Sequence, residues 1–365
     1  MASASNACSN RSVRWDALRL DATDSLDDAA PGPTPLLPRG AVMRTIDTPD
    51  FRGVTFYEVQ CRSALNRVPD TSRVPFRWTV NPYRGCTHAC VYCFARKTHE
   101  YLDLDSGEDF DSRIVVKTNV GDVLRRELGR ASWAGERIAM GTNVDCYQRA
   151  EGRYALMPGV LAALRDAGNS FSILTKGALV LRDLELLLEC RQSAEVTTAV
   201  SVGFLDDDIW RSVEPGTPPP MRRLEVCAAL NNAGIPCGVL MAPVLPWLTD
   251  SPAQLEQTVR AVADAGATYV SPLALHLRPG AREWWLRWLA REHPRLLQRY
   301  AEMYARGAYA PKAYQDRIAA TVADLAKRHG IGGRRRPRPD GPPYRPGRGT
   351  ADAPTGPAEG QLTLV

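Results

Sequence analysis

Between residues 74 and 277, short apolar runs alternate with stretches in which apolar residues recur every three or four positions, the pattern of repeated βα units on a parallel sheet. Residues 77–81, 114–117, 137–141, 171–175, 197–202 and 237–242 read as strands, and a seventh apolar run at 268–277 extends the series. Residues 120–130, 157–168, 181–191, 219–234 and 251–266 read as helices, some ending at Gly where a left-handed cap is expected. Six such units predict an α/β fold, either a full or a partial barrel. A doubly wound sheet is the alternative, because closure leaves no mark in sequence. In both architectures, functional side chains are expected at the C-terminal ends of the strands.

Outside this body the pattern stops. Residues 1–40 are expected to be a disordered N-terminal segment, 41–73 a lead-in, 74–277 the core, 278–330 a helical extension, and 331–365 a disordered tail rich in Arg, Pro and Gly. Of 365 residues, 44% are hydrophobic, enough for a large core. No apolar run approaches the roughly 20 residues of a membrane span, and the N-terminus lacks a secretory apolar region, so a cytoplasmic protein without membrane attachment is expected. The net charge of +5 is uneven: the stretch GGRRRPRPDGPPYRPGRG holds six arginines against one aspartate.

Nine cysteines, an odd number and mostly scattered, do not form the paired framework of a secreted domain. Cys86, Cys90 and Cys93 are the exception, four and three residues apart; composition alone gives such a triplet about one time in two hundred. Zinc usually takes four ligands in two pairs; His88 could supply a fourth, but no second Cys-x2-Cys pair exists, and an exposed loop histidine is the plainer expectation for it. Three thiolates suit a [4Fe–4S] cube with one iron left open.

The segment NPYRGCTHACVYCFAR carries Cys-x3-Cys-x-aromatic-Cys. It resembles the signature of radical S-adenosylmethionine (SAM) enzymes, in the branch that includes spore photoproduct lyase. GTNVDCYQRAE, ILTKGALVLRDLELL, VEPGTPPPMRRLE and GVLMAPVLPWLTDS carry the resemblance over roughly Val74 to Leu277. It implies a partial (β/α)6 TIM-type barrel, with Cys86, Cys90 and Cys93 as ligands of a [4Fe–4S] cluster. SAM would chelate the fourth iron through its amino and carboxylate groups and be cleaved to a 5′-deoxyadenosyl radical. A lyase-like reaction is implied, with a reductant such as flavodoxin or ferredoxin.

The same resemblance implies that Tyr92 packs near the adenine of SAM and that Lys176, one of only five lysines, binds its carboxylate. Ser201 would hydrogen-bond the carboxylate or ribose, and Asn143 and Asp145 would contact SAM or substrate. Glu151, Glu214 and Arg223 read more readily as structural ion pairs. Cys190, Cys227 and Cys237 read as small buried apolar residues, and Cys8 and Cys61 as incidental. Cys146, at the strand-end face, is a candidate hydrogen-atom donor. The donor cysteine that spore photoproduct lyase carries just before this acid has no counterpart, since Thr142 or its neighbours stand there, which argues for a related but different reaction.

The final residues resemble peptides that dock on the replication sliding clamp, through Gln361, Leu362, Leu364 and Val365, and with the arginine-rich tail they raise DNA as a partner. Two further readings are modification of a protein or small molecule by the same radical, and a non-catalytic metal-binding or nucleic-acid-binding module. The preference for arginine over lysine points to a high-GC, actinobacterial source.

Overall fold

The structure, a computed structural model, describes residues 42–46, 51–69, 72 and 74–332. The expected N-terminal tail with Cys8, and residues 333–365 of the C-terminal one with the clamp-like peptide at Gln361, Leu362, Leu364 and Val365, lie outside the described residues. Ile331, on the tail side of the compositional boundary, instead packs against the main core.

Eleven strands are described: β1 (Val42–Ile46), β2 (Val54–Val59), β3 (Leu65–Arg67), β4 (Trp78–Val80), β5 (Tyr83–Arg84), β6 (Arg113–Lys117), β7 (Ile138–Met140), β8 (Phe171–Thr175), β9 (Val196–Ser201), β10 (Cys237–Val244) and β11 (Val270–Ala274). The larger sheet runs β3-β4-β7-β8-β9-β10-β11. Its six strands from β4 to β11 are parallel neighbours in chain order, and β3 adds an antiparallel edge. A doubly wound sheet reverses its strand order at a switch point; here the order proceeds one way, which is the partial (β/α)6 barrel.

The strand expected at 114–117 forms as β6 but belongs elsewhere. It sits in a smaller sheet of order β1-β2-β6-β5, parallel to β2 and antiparallel to β5. The sixth barrel strand is β11, from the seventh apolar run. An apolar run specifies a buried strand but not its sheet, because partner choice is set by long-range packing.

Helices Val120–Leu128, Leu156–Asp166, Leu184–Cys190, Pro220–Asn232 and Pro252–Asp264 occupy the segments between barrel strands. The last opens with a capping box, the Ser251 hydroxyl accepting from Gln254 N and the Gln254 side chain from Ser251 N. Helices Val120–Leu128 and Leu156–Asp166 meet at Gly121 and Gly159, where a Cβ on Gly121 would stand 2.8 Å from the Gly159 carbonyl carbon. Cys190, Cys227 and Cys237 are fully buried in the main core.

Beyond the barrel, helices Ala281–Glu292, Leu297–Met303 and Lys312–Arg328 follow. Trp285, Trp288, Tyr300 and Tyr304 from this segment form a second core with Cys90, Val91 and Tyr92. Buried aromatic rings carry the largest apolar area per side chain, so this core closes firmly over the cysteine segment. Among the described residues no helix is long and apolar enough to cross a membrane.

Candidate functional site

Cys86, Cys90 and Cys93 lie between β5 and the 3-10 helix Phe94–Leu102, on a loop tied at several points. Cys86 N donates to Phe110 O at 3.0 Å, and Val91 N to Val213 O at 2.9 Å. Gln148, fully buried, accepts from Thr87 N at 2.8 Å and donates to Gly85 O at 3.1 Å. Tyr83, just before the loop, donates to Glu151 at 2.5 Å. Glu151 also accepts from Leu156 N and Met157 N, each at 3.0 Å, and pairs with Arg182 at 2.6 Å, so it is structural.

All three thiols are free, and they line one cavity at the C-terminal ends of the barrel strands. Its polar wall carries Thr142, Asn143, Asp145, Lys176 and Ser201, from the ends of β7, β8 and β9; its apolar wall carries Phe94, Leu240, Ala242, Pro243 and Leu275. The turn after β7 depends on Gly141, whose φ is +74° and whose Cβ, if present, would fall 1.7 Å from Leu174 O. Burial pushes the Cys86 thiol well up, and Asp145, Cys90 and Cys93 add to it, so the three sulfurs sense one another. Burial raises Cys90 and Cys93 as well. Loading such thiols as metal ligands therefore releases protons.

Lys176 follows β8, and its Nζ donates to Ser201 Oγ at 2.7 Å and lies 3.8 Å from Glu214 Oε1. Glu214 also accepts from the Tyr92 hydroxyl and pairs with Arg223. Arg223 reaches on to Ser201 O at 3.0 Å. Burial alone would push the Glu214 carboxyl up; Arg223 and Lys176 outweigh it and hold the carboxyl below its ordinary value. Behind the cavity wall Tyr92, Glu214, Arg223 and Ser201 form one paired network, and Lys176, tied into it, lines the cavity together with the thiols.

Asp145 lines the cavity, but its oxygens are taken: Oδ1 accepts from Tyr147 N at 2.9 Å and Thr175 Oγ1 at 2.7 Å, and Oδ2 from Lys176 N at 2.6 Å. Burial raises its carboxyl, while His88 and these donors lower it further, for a net fall. His88 is not an exposed loop residue. It is 1% exposed, and its Nδ1 lies 3.4 Å from Asp145 Oδ2 but outside hydrogen-bond geometry.

Cys146 departs from expectation. Its side chain is fully buried in the main hydrophobic core and does not line the cavity, although Val144 and Asp145 before it do. The chain turns at Asp145, whose side chain caps Tyr147 N, and the Cys146 side chain packs into the main core, off the cavity wall. Arg96 and Gln148, which hold the thiol loop, sit inside the matched motifs, but a buried Arg or Gln reads as surface by its type.

The donor set fits an iron–sulfur cube better than a single ion. Three free thiols line one cavity, and a cube takes one thiolate per iron.

The sequence model described as Radical SAM superfamily matches residues 80–262, and the chain belongs to that family. An uncharacterized protein of Mycobacterium tuberculosis is 50% identical over 329 residues, covering 90% of this chain and 96% of the relative. One from Methanocaldococcus jannaschii is 26% identical over 174 residues, covering 48% and 62%. In fold the chain is similar to spore photoproduct lyase complexed with dinucleoside spore photoproduct: TM-score 0.55, 16% identity, 76% of this chain and 80% of the other. A double mutant of that lyase with bound AdoMet and the same dinucleoside aligns at TM-score 0.53 and 16% identity, over 72% and 77%.

Proposed function

We propose that the protein is a radical SAM enzyme that holds a [4Fe–4S] cluster on Cys86, Cys90 and Cys93 and cleaves SAM reductively. The observation that carries this reading is the opening of three free thiols and the Lys176–Ser201 pair into a single cavity at the strand ends. When bound, the cluster and SAM supply a 5′-deoxyadenosyl radical able to take hydrogen from an unactivated carbon.

The chain's own tasks are binding, orientation and exclusion of water. Lys176, held by Ser201 beside Glu214, suits a carboxylate. Asn143, which has no hydrogen-bond partner among the described residues, offers both a donor and an acceptor to the polar end of SAM or to substrate. Tyr92, anchored through its hydroxyl to Glu214, presents its ring beside the cysteines, and the apolar wall of Phe94, Leu240 and Leu275 excludes water from the reacting carbon. Asp145 is a positioning residue, acting through Thr175 and the Lys176 backbone. A one-electron donor such as flavodoxin or ferredoxin completes the requirement.

The test is anaerobic reconstitution of the wild type and of a Cys86→Ala, Cys90→Ala, Cys93→Ala variant, followed by dithionite and SAM, with 5′-deoxyadenosine read by mass spectrometry. Formation by the wild type alone is expected. A wild type with a full cluster that releases none would overturn the reading.

A further inference from the structure

Arg96 lies three residues beyond the last cysteine and has none of its surface exposed. Every nitrogen of its guanidinium is engaged. Nε and Nη2 donate to the carbonyl of Cys90 at 3.2 and 2.9 Å. Nη1 donates to Gly107 O at 2.7 Å, and Nη2 also reaches both oxygens of Asp111 at 3.0 and 2.8 Å. The group is packed between Phe110, 5.2 Å from the ring centre, and Trp284, at 5.0 Å. Trp284 is in turn fitted against Gly107, where any Cβ would stand 2.7 Å from the indole.

A buried cation costs several kcal/mol in desolvation unless it is paired and hydrogen-bonded. Here that cost is met where one planar fork joins three segments: the cysteine loop, the turn at residues 105–111, and the helix Ala281–Glu292. Cys86 is held by Phe110 O, Gln148 grips its neighbours Gly85 and Thr87, and Val91 N holds to Val213 O, while Arg96 is the side chain that grips the carbonyl of Cys90 itself.

We propose that Arg96 is a positioning residue for the iron–sulfur group, aiming Cys90 by gripping its carbonyl and adding a positive charge beside the thiols that its partner Asp111 offsets only in part. The inference rests on the cluster reading above. Groups one step removed from metal ligands set affinity and potential together, and a cation near a cluster favours the added electron.

The two contributions separate in two variants. Arg96→Lys keeps the charge but cannot span a carbonyl and a carboxylate at once; it should bind the cluster about 10-fold more weakly while titrating near the wild-type potential. Arg96→Gln should bind at least as weakly and titrate at a more negative potential. Iron and sulfide per chain, the potential of the visible and paramagnetic signals, and thermal melting of the metal-free proteins are the measurements. Wild-type iron content and potential in both variants would overturn the inference. So would iron loss that only follows a collapse of the metal-free fold, since that is a merely structural role. If Arg96→Gln is insoluble, the Arg96→Lys comparison decides. A wild type that takes up no iron and sulfide removes the cluster reading itself, and the inference with it.

Discussion

At the scale of single residues, Lys176 is the side chain whose loss should cost most outside the cysteines. Its side chain is 13% exposed, and its ammonium is held at Ser201, within reach of Glu214. A charge-assisted hydrogen bond contributes about 1.5–3 kcal/mol, so Lys176→Met should weaken SAM binding about 10- to 100-fold and leave iron content unchanged. Equilibrium binding of SAM to the reconstituted protein measures this; unchanged affinity would remove Lys176 from the site. The three thiols were legible because their spacing is rare by chance and lacks the second pair of a usual zinc site, and Lys176 because a scarce lysine follows an apolar run. Arg96 and Gln148 were not, since only the fold reveals that their donors and acceptors are spent on backbone. Cys146 was misplaced because one turn decides whether a side chain faces a cavity or a core, and Asp145 makes that turn.

Among elements, the junction of β7 and β8 is the tightest constraint behind the site. An added methyl at Gly141 would overlap Leu174 O, and the residue's positive φ disfavours any side chain as well. Gly141→Ala should therefore destabilise the chain by about 3 kcal/mol or more, read as a shift in the denaturant midpoint. Thr142 and Asn143 would move with the turn, so SAM binding should fall in the surviving folded fraction. The barrel strands were legible as apolar runs between helical stretches, and five of the six barrel positions follow directly from them. The smaller sheet was not, because β5 has only two residues and β1 and β2 lie in a lead-in without helices. Their pairing with β6 arises from contacts far apart in sequence.

For the molecule as a whole, stability should decline on acidification from neutral pH. Burial, with help from Arg278, lowers His276 from 6.5 to about 4, and burial lowers His99. A histidine with a depressed folded value takes up its proton later than the unfolded chain does. Between pH 6.5 and 4 the unfolded state therefore binds more protons, and stability falls as pH falls. Asp145 and Glu214, depressed by their partners, contribute in the same direction lower down: their stabilisation is present above the ordinary carboxylate values and is lost as pH drops through the folded ones. Asp111, raised by burial to about 6 despite Arg96, opposes them, binding its proton more readily when folded. The melting temperature of the metal-free protein should thus drop from pH 7 to pH 5, and His276→Phe should remove part of that drop; a flat profile would contradict the assignment.

The core that joins Cys90 and Tyr92 to Trp285, Tyr300 and Tyr304 draws on two distant stretches of chain. A ribosome releases the cysteine loop well before it releases those aromatic rings, although domains generally fold as units. During synthesis the segment of Cys90 and Tyr92 therefore stays without that aromatic cover until the last helices emerge and bury it.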